Sequence, residues 1–346
     1  MMRQHRAWLV AVGVFVCLCL AGCGDDLTLE QIEAIDDGTL RADVLAEGFD
    51  FPTQLFVGTE HWYIAQLSGA ENDATGTVLR LDPNDLGGDA QLLLSGLDKP
   101  TGVAVFADEL WVMERRRLTR GPLDGGDRVV VLDDMAFNGR SEGTLTVDGD
   151  RLLFNTSGSL RRLDDANVSP AESSGVLWSV DAAGQITAVA SGFKHAYAQV
   201  RSADGTLWAT EMTDGRFDEV AAQDELVAVT EGIDHGWPRC VENNRPVAEQ
   251  GADEGTCSSV PASHALFAVG ATPTSVVVAP WDEEVLLVSL WNRGEVVALS
   301  TTPQLVPESG DVVYDGVARP QHLAVDGNRV LLVDFDQGRI LELSRG

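Results

Sequence analysis

The stretch Phe51-Pro52-Thr53-Gln54-Leu55-Phe56-Val57 opens a pattern that recurs along the chain. In it, a proline leads into a short apolar segment that is typical of a β-strand. Similar opening segments follow at 100–105, 141–147, 196–200, 273–278 and 320–325, and the copy at 141–147 is the most divergent. A unit written six times predicts a ring or array of small sheets rather than a single core.

Each copy continues with further apolar segments, which turns rich in Gly, Asp and Asn separate. The second segments are 62–65, 110–113, 152–154, 207–210, 286–289 and 331–333. The third segments are 77–81, 117–119, 175–178, 225–229, 295–299 and 339–343. Five copies add a fourth segment, at 91–95, 129–132, 186–191, 265–268 and 312–314. No stretch after residue 41 has sustained helical periodicity, so the pattern predicts an all-β fold.

The last copy lacks its fourth segment, and residues 42–46, which precede the first copy, can take that place. Pairing this N-terminal strand into the last sheet would close a ring and hide the free sheet edges. We therefore predict a six-bladed β-propeller over residues 41–346. The loops before the first strands should gather at one mouth. A β-sandwich or an open array of hairpins is the alternative, and it leaves the displaced strand unexplained.

The N-terminus has the pattern of a bacterial lipoprotein signal peptide over residues 1–22. Two arginines precede an apolar run from Ala7 to Leu20, which is short for a membrane span. Leu20-Ala21-Gly22-Cys23 resembles a lipobox, so Cys23 is the expected lipidation site and 23–40 an acidic tether. An ordinary signal peptide or a short anchor helix is the alternative. We expect an exported lipoprotein on the periplasmic side of a membrane, and Gly24 favours the outer membrane.

The cysteines and the net charge indicate an oxidising compartment and argue against a nucleic-acid-binding function. Cys240 and Cys257 remain after the signal peptide, and in an oxidising compartment they can pair. Such a bridge would stabilise the fold by about 3 kcal/mol in the chain-entropy description. The formal net charge of −30 argues against a nucleic-acid partner, because phosphates need a basic surface.

Five segments carry a specific resemblance to the glucose/sorbosone dehydrogenase family, which is densest from 190 to 240 and covers 42–346. The family's Asp-Glu-Leu strand and Asn-Tyr-Gly-Trp-Pro turn resemble Asp224-Glu225-Leu226 and Gly236-Trp237-Pro238. Its Ser-Gly-Leu-Arg-Asn-Pro resembles Ser191-Gly192-Phe193-Lys194-His195-Ala196. The sorbosone-type Ser-Trp-Asn-Arg and the final Gly-Arg-Pro resemble Ser289-Leu290-Trp291-Asn292-Arg293 and Val317-Ala318-Arg319-Pro320.

The resemblance implies a propeller that oxidises an aldose or related sugar with pyrroloquinoline quinone (PQQ) and calcium, and passes electrons to an acceptor. PQQ carries three carboxylates, so its site needs converging cations. The expected cofactor-binding residues are Lys194, Arg319, Arg140, Lys99, Arg293 and Trp237, and Trp291 is a second candidate for a site wall. The alternative is that these cations pair with acidic loops elsewhere.

The catalytic base is where the chain departs from the family. The family His falls at Arg140, and an arginine stays protonated at neutral pH. His195 is the best available base and His322 the next, although each could be an ordinary histidine lining the mouth. The missing His favours a second function, a non-catalytic propeller that binds a ligand or partner protein at the same mouth.

Acidic residues after the second strands are candidates for calcium ligands, since calcium prefers oxygen. They are Glu211, Asp214, Asp218, Asp334 and Asp336, and solvated loop carboxylates are the alternative. A third function, a metal-dependent lactonase-type hydrolase, would need groups such as Asn155 and Asp334 at the channel axis. Trp62, Trp111 and Trp208 fall at matching strand positions and are expected to pack in the core.

Overall fold

The computed structural model describes residues 39–69, 73–135, 143–158, 175–213, 215–302 and 306–345. Its main elements are six four-stranded antiparallel sheets, which form the predicted six-bladed β-propeller. Cys23, the predicted signal peptide, Arg140 and Asp214 lie outside the described residues. Within those ranges, no helix has the length and apolarity needed to cross a membrane.

The strands follow the predicted segments closely. The N-terminal strand is β1 (Leu40–Glu47). Blade 1 contains β2 (Pro52–Val57), β3 (Trp62–Gln66), β4 (Gly76–Leu81) and β5 (Gln91–Leu97). Blade 2 contains β6 (Gly102–Phe106), β7 (Glu109–Glu114), β8 (Arg117–Gly121) and β9 (Val129–Leu132). Blade 3 contains β10 (Thr146–Asp148), β11 (Arg151–Thr156), β12 (Val176–Asp181) and β13 (Ile186–Ser191).

Blade 4 has the longest interruption. It contains β14 (Ala196–Arg201), β15 (Leu207–Glu211), β18 (Glu225–Val229) and β21 (Ala265–Leu266), with two small hairpins between them: β16 (Arg216–Phe217) with β17 (Val220–Ala221), and β19 (Cys240–Val241) with β20 (Arg245–Pro246). Blade 5 contains β22 (Pro273–Ala279), β23 (Asp282–Leu290), β24 (Glu295–Ser300) and β25 (Asp311–Tyr314). Blade 6 contains β26 (Pro320–Asp326), β27 (Arg329–Asp334) and β28 (Arg339–Arg345).

The predicted ring closure is confirmed by the pairing of β1 with β28. The two strands are antiparallel, and Ala42 lies opposite Leu343 and Val44 opposite Leu341. The sixth sheet therefore has the order β1-β28-β27-β26. Its outer strand comes from the N-terminal side of the chain, so the first and last parts of the propeller are held in one sheet.

The segment between β18 and β21 contains elements that the sequence pattern missed. Besides the hairpins, it holds a 3-10 helix (Ala248–Gln250) and one helical turn, α1 (Glu254–Cys257), which Asp253 caps. The predicted disulfide between Cys240 and Cys257 is confirmed, with an S–S distance of 2.00 Å. The predicted fourth strand at 265–268 is shorter than expected, because only Ala265 and Leu266 pair with β18.

Apolar cores lie between neighbouring blades. Trp62, Trp111 and Trp208 are each at most 1% exposed, which confirms the prediction that they pack in the core. One core joins Trp111 of blade 2 to Leu152 and Phe154 of blade 3. The Trp111 indole N–H donates to Phe106 O at 3.0 Å, so its polar atom is satisfied within the core.

The innermost strand of each blade has one edge without a neighbouring strand, and side chains of other blades supply several of the missing partners. Thr53 Oγ1 donates to Pro100 O of blade 2 at 2.8 Å, and Thr274 Oγ1 donates to Pro320 O of blade 6 at 3.0 Å. Thr144 Oγ1 donates to Tyr197 O of blade 4 at 3.3 Å. These contacts tie consecutive blades together around the channel.

Gln54 makes hydrogen bonds to two other blades. Its Oε1 accepts from Val103 N (2.9 Å) and Leu145 N (3.0 Å), and its Nε2 donates to Leu145 O (2.8 Å). One side chain of blade 1 thus satisfies buried backbone groups of blades 2 and 3. Across the channel, Gln321 Nε2 of blade 6 donates to Tyr197 Oη of blade 4 at 3.0 Å.

We expect Gln54→Leu to lower the free energy of unfolding by about 3 kcal/mol or more, because it strands three buried backbone groups. The control is Gln91→Leu on β5, where the glutamine is exposed and the change should stay within about 0.5 kcal/mol. Urea denaturation of both variants measures the difference. Equal stability of the Gln54→Leu variant and the wild type would show that the tie contributes nothing.

Candidate functional site

The loops before the innermost strands and the loops after the second strands meet at one end of the propeller, which we call the mouth. Backbone bonds join them: Met212 N donates to His195 O (3.2 Å) in blade 4, and Phe335 N donates to Arg319 O (3.1 Å) in blade 6. We call the loops before the innermost strands the leading loops. In blades 2, 4 and 6, the residue directly before the Pro or Ala that opens the innermost segment marks an equivalent position around the mouth.

Lys99, His195 and Arg319 occupy equivalent positions in the leading loops of blades 2, 4 and 6, directly before Pro100, Ala196 and Pro320. Lys194 lies one residue earlier. Lys99 and Lys194 are the two lysines of the whole chain, and both lie at the mouth. The predicted gathering of cations at one mouth therefore holds for Lys99, Lys194 and Arg319.

Lys194 is half-buried and held at several atoms. Its Nζ donates to Gly158 O at 2.8 Å and lies 5.9 Å from the centroid of the Trp237 ring. Its backbone O accepts from Gly158 N at 2.5 Å. Trp237 itself is 5% exposed and packs beside the ammonium group, and its role as a wall of a cofactor site stays a prediction.

Glu211, at the end of β15, binds the leading loop of blade 4 from below. Its carboxyl group accepts from Lys194 N, and from His195 N at 3.1 and 3.2 Å. Burial raises the pKa of Glu211 to about 8, and the negative charge of Glu225 adds to the rise. The side chain is therefore an anchor for the loop.

Glu225 lies behind Glu211, at the start of β18. It accepts from Thr213 Oγ1 (3.2 Å), Glu242 N (2.8 Å) and Ser263 Oγ, and burial raises its pKa. Both glutamates line one cavity of about 20 Å³. That volume holds about one water molecule.

The histidines proposed as bases are both buried. His195 is 2% exposed, and its ring meets Tyr197 edge-on at 5.2 Å between centroids. Burial lowers the pKa of His322 to about 3, so at neutral pH its imidazole is uncharged. A base with so low a pKa is a weak proton acceptor, which makes His322 the poorer of the two candidates.

Arg319 packs on an aromatic cluster, of which the sequence predicted only Trp291. Its guanidinium lies 4.3 Å from the Trp291 ring centroid and 3.4 Å from Asp336 Oδ1. Trp291 contacts Phe335 at 5.9 Å, and Phe335 contacts Phe51 at 5.2 Å between centroids. Phe51 occupies in blade 1 the position of Lys99 and Arg319, which was the signal that could have found it.

The remaining predicted cations differ in setting. Arg293 is 52% exposed and pairs with Glu295 at 3.3 Å, so it lies on the outer rim of the mouth. Lys99 follows Asp98, which pairs with Arg115 at 3.0 Å. Arg115 is another cation at the mouth, and the sequence reasoning passed over it.

Of the acidic residues proposed as calcium ligands, the four that the structure describes make hydrogen bonds or ion pairs within the protein. Asp218 accepts from Ala248 N and Glu249 N, Asp334 binds Arg339, and Asp336 pairs with Arg319. In the part of the chain that the structure describes, no cluster of three or more His, Cys, Asp or Glu residues is suited to a metal ion. Calcium binding stays a prediction from the resemblance.

One arrangement recurs in four consecutive blades. A side chain at or next to the end of the second strand accepts a hydrogen bond from a leading-loop N–H. The pairs are Gln66 with Asp50 N (3.0 Å), Glu114 with Asp98 N (2.8 Å), Asn155 with Gly143 N (2.7 Å) and Glu211 with Lys194 and His195 N. Asn155 and Glu211, considered above as metal-site residues, therefore hold the loops of the mouth.

Comparison with known proteins supports the fold. No protein-family model and no curated protein matches this sequence. Among solved structures, a Trichoderma reesei enzyme of carbohydrate-active enzyme family AA12 is similar, with a TM-score of 0.71 and 15% identity over 90% of this chain and 96% of that one. The PQQ-bound aldose sugar dehydrogenase of Streptomyces coelicolor has a TM-score of 0.69 and 16% identity over 89% and 98%.

A gluconolactonase from Xanthomonas campestris is similar at a lower level, with a TM-score of 0.52 and 17% identity over 89% of this chain and 90% of that one. At such identities the likeness shows the fold. The chain therefore has the propeller architecture of the PQQ-dependent sugar dehydrogenases, as the sequence resemblance implied.

The raised pKa of Glu211 predicts a pH-dependent stability. The folded state keeps the carboxyl proton from the ordinary pKa of 4.5 up to about 8. The stability from this group is full below pH 4.5 and is lost as pH rises through about 8. Between pH 4.5 and about 8, the free energy of unfolding of Glu211→Gln should rise relative to that of the wild type by roughly 1.4 kcal/mol per pH unit.

Urea midpoints at pH 5, 6.5 and 8 check this expectation. Glu60→Gln is the control, because Glu60 is exposed and should give the wild-type pH dependence. A Glu211→Gln variant that follows the wild-type curve in parallel would contradict the raised pKa.

Proposed function

We propose that this protein binds PQQ at the mouth and oxidises a sugar or sugar-like alcohol. The observation that supports this most is the placement of cations. In a chain with a net charge of −30, both lysines and Arg319 lie at the same mouth. A polyanionic ligand explains why an acidic protein keeps its amines there.

The residues of the mouth suit an anion with several carboxylates. Lys194 presents an ammonium group beside a neutral carbonyl oxygen and the face of Trp237. Arg319 is 45% exposed and its partner Asp336 is 30% exposed, and such surface pairs contribute about 0–1 kcal/mol. A ligand carboxylate can therefore replace Asp336 at little cost.

In this proposal, Lys194 and Arg319 bind the carboxylates of the cofactor and fix its orientation, while Lys99 and Arg115 add to the positive field. Trp237, beside Lys194, and Trp291, beside Arg319, would form walls of the site. The bound cofactor would supply the two-electron oxidation of the substrate alcohol. His195 would take the hydroxyl proton, since it adjoins Lys194 in the leading loop, whereas burial lowers the pKa of His322 to about 3.

A non-catalytic propeller is the second candidate, and two observations favour it. Gln321 of blade 6 and Tyr197 of blade 4 are buried and hydrogen-bonded to each other, and His195 is only 2% exposed. In that case the same cations bind an anionic ligand or partner without chemistry. A lactonase-type function has less support, because Asn155 binds Gly143 N and Asp334 binds Arg339.

The location of the protein is part of the proposal. The lipobox-like Leu20-Ala21-Gly22-Cys23 supports an exported lipoprotein that is anchored through Cys23 on the periplasmic side of the outer membrane. There an electron acceptor in the periplasm or membrane would reoxidise the cofactor. The disulfide between Cys240 and Cys257 suits an oxidising compartment.

We expect the purified protein to bind PQQ saturably, with and without calcium, and to melt at a higher temperature when loaded. At 100 times the Kd, the stabilisation is about 2.7 kcal/mol. Cofactor absorbance and melting temperature measure both effects, and a dye-reduction screen over aldoses then tests oxidation. No binding at tens of micromolar PQQ would overturn the proposal.

Variants sharpen this test. Lys194→Met and Arg319→Met should each weaken PQQ binding at least tenfold, about 1.4 kcal/mol. The matched control is Arg329→Met, which removes a cation at the turn between β26 and β27, at the opposite end of the propeller. Equal loss in all three variants would mean that only the net charge matters. Binding without any aldose oxidation would favour the non-catalytic propeller.

A further inference from the structure

Both lysines follow the same arrangement of a buried glutamate beneath the leading loop. Under Lys99, Glu114 accepts from Asp98 N, the residue before the lysine. Under Lys194, Glu211 accepts from the backbone N–H of the lysine itself. The second contact therefore acts directly on the residue that carries the ammonium group.

Lys194 is fixed at three atoms. Its N donates to Glu211, its O accepts from Gly158 N, and its Nζ donates to Gly158 O. Gly158 permits this close approach, because a Cβ there would lie 2.2 Å from Phe193 O. With the peptide held at both sides, the direction of the side chain follows from the position of the backbone.

Glu211 is unsuited to direct chemistry at the mouth. It is 5% exposed, and both carboxyl oxygens are used by the leading loop. It accepts from the backbone N–H groups of two consecutive residues, the cation Lys194 and the candidate base His195. This geometry gives it influence over both without contact to a ligand.

We propose that Glu211 is a positioning residue, which sets the place of the Lys194 ammonium group and the His195 ring through their backbone N–H groups. The placement of Lys194 stands on the geometry alone. Its consequence for cofactor affinity rests on the function proposed above. Glu225, as the second carboxyl of the shared cavity, tunes how firmly Glu211 holds the loop.

The charge of Glu211 determines how strongly it accepts. Hydrogen bonds to an ionised carboxylate are roughly twice as strong as those to a neutral acceptor. The titratable groups around Glu211 are Glu225 on β18, Lys194 and His195 on the leading loop, and His235 on the turn that closes the cavity. Burial lowers the pKa of His235 to about 4, so this imidazole is uncharged near pH 8, while burial raises the pKa of both Glu211 and Glu225.

The test uses the chemistry of the two amines. The intact protein is treated with limiting N-hydroxysuccinimide acetate between pH 6.5 and 9.5, and mass spectrometry gives the acylation rate of each lysine. N-acetyllysine in the same tube normalises both rates. In wild type we expect Lys194 to become relatively less reactive as pH rises through about 8, because the loop is held more firmly.

Above pH 8, where Glu211 of the wild type is ionised, Glu211→Gln should raise the Lys194 rate several-fold. It should also remove the pH response of Lys194 and leave Lys99 unchanged. Glu114→Gln is the matched control, which should leave Lys194 unchanged. Two results would overturn the proposal: an unaltered Lys194 rate in Glu211→Gln, or an equal rise at both lysines, which would mean general loosening.

Glu225→Gln provides a second variant that keeps every contact between Glu211 and the loop. Loss of the neighbouring negative charge should lower the pKa of Glu211, so the Lys194 response should move to lower pH. If the Lys194 rate in Glu225→Gln changes at the same pH as in the wild type, Glu225 does not influence how Glu211 holds the loop. A normal Lys194 response in a protein that does not bind PQQ would overturn the proposed function while the positioning role stands.

Discussion

The structure depends on satisfying the unpaired edge of each innermost strand. A propeller leaves these edges facing a channel, where no seventh sheet can supply hydrogen bonds. Thr53, Thr274 and Gln54 supply them from neighbouring blades, and Gln54 alone serves two other blades. Because the partners lie in other blades, the six sheets cannot rotate independently, and the leading loops inherit fixed positions.

At the mouth, side chains likewise satisfy backbone groups, here the N–H groups of the leading loops. Gln66, Glu114, Asn155 and Glu211 accept from leading-loop N–H groups in four consecutive blades. Where the acceptor is a glutamate, burial makes ionisation costly, so loop order is coupled to a proton. It is notable that the two glutamates stand under the two lysines. The groups best suited to bind an anion are thus attached to the least flexible part of the fold.

Periodicity predicted the fold because strand alternation and turn residues are local. The six repeats, the N-terminal closing strand and the core tryptophans followed from it, and the disulfide followed from counting cysteines. The roles of Glu211 and Asn155 did not follow, because the loop that each one meets is set by packing distant in sequence. The low pKa of His322 likewise depends on burial alone. Arg115 and Phe335 escaped notice because each follows a strand end and belongs to no motif.

The joining of β1 to β28 has a consequence for how the chain folds. The two strands are separated by nearly the whole sequence, so their pairing is the most non-local contact in the ring. Blades 1 to 5 can form in order as the chain emerges, but β1 must wait for the final strand. Until then, a strand edge at each end is exposed to other chains, which is the situation that favours aggregation. A truncated product would remain in that state.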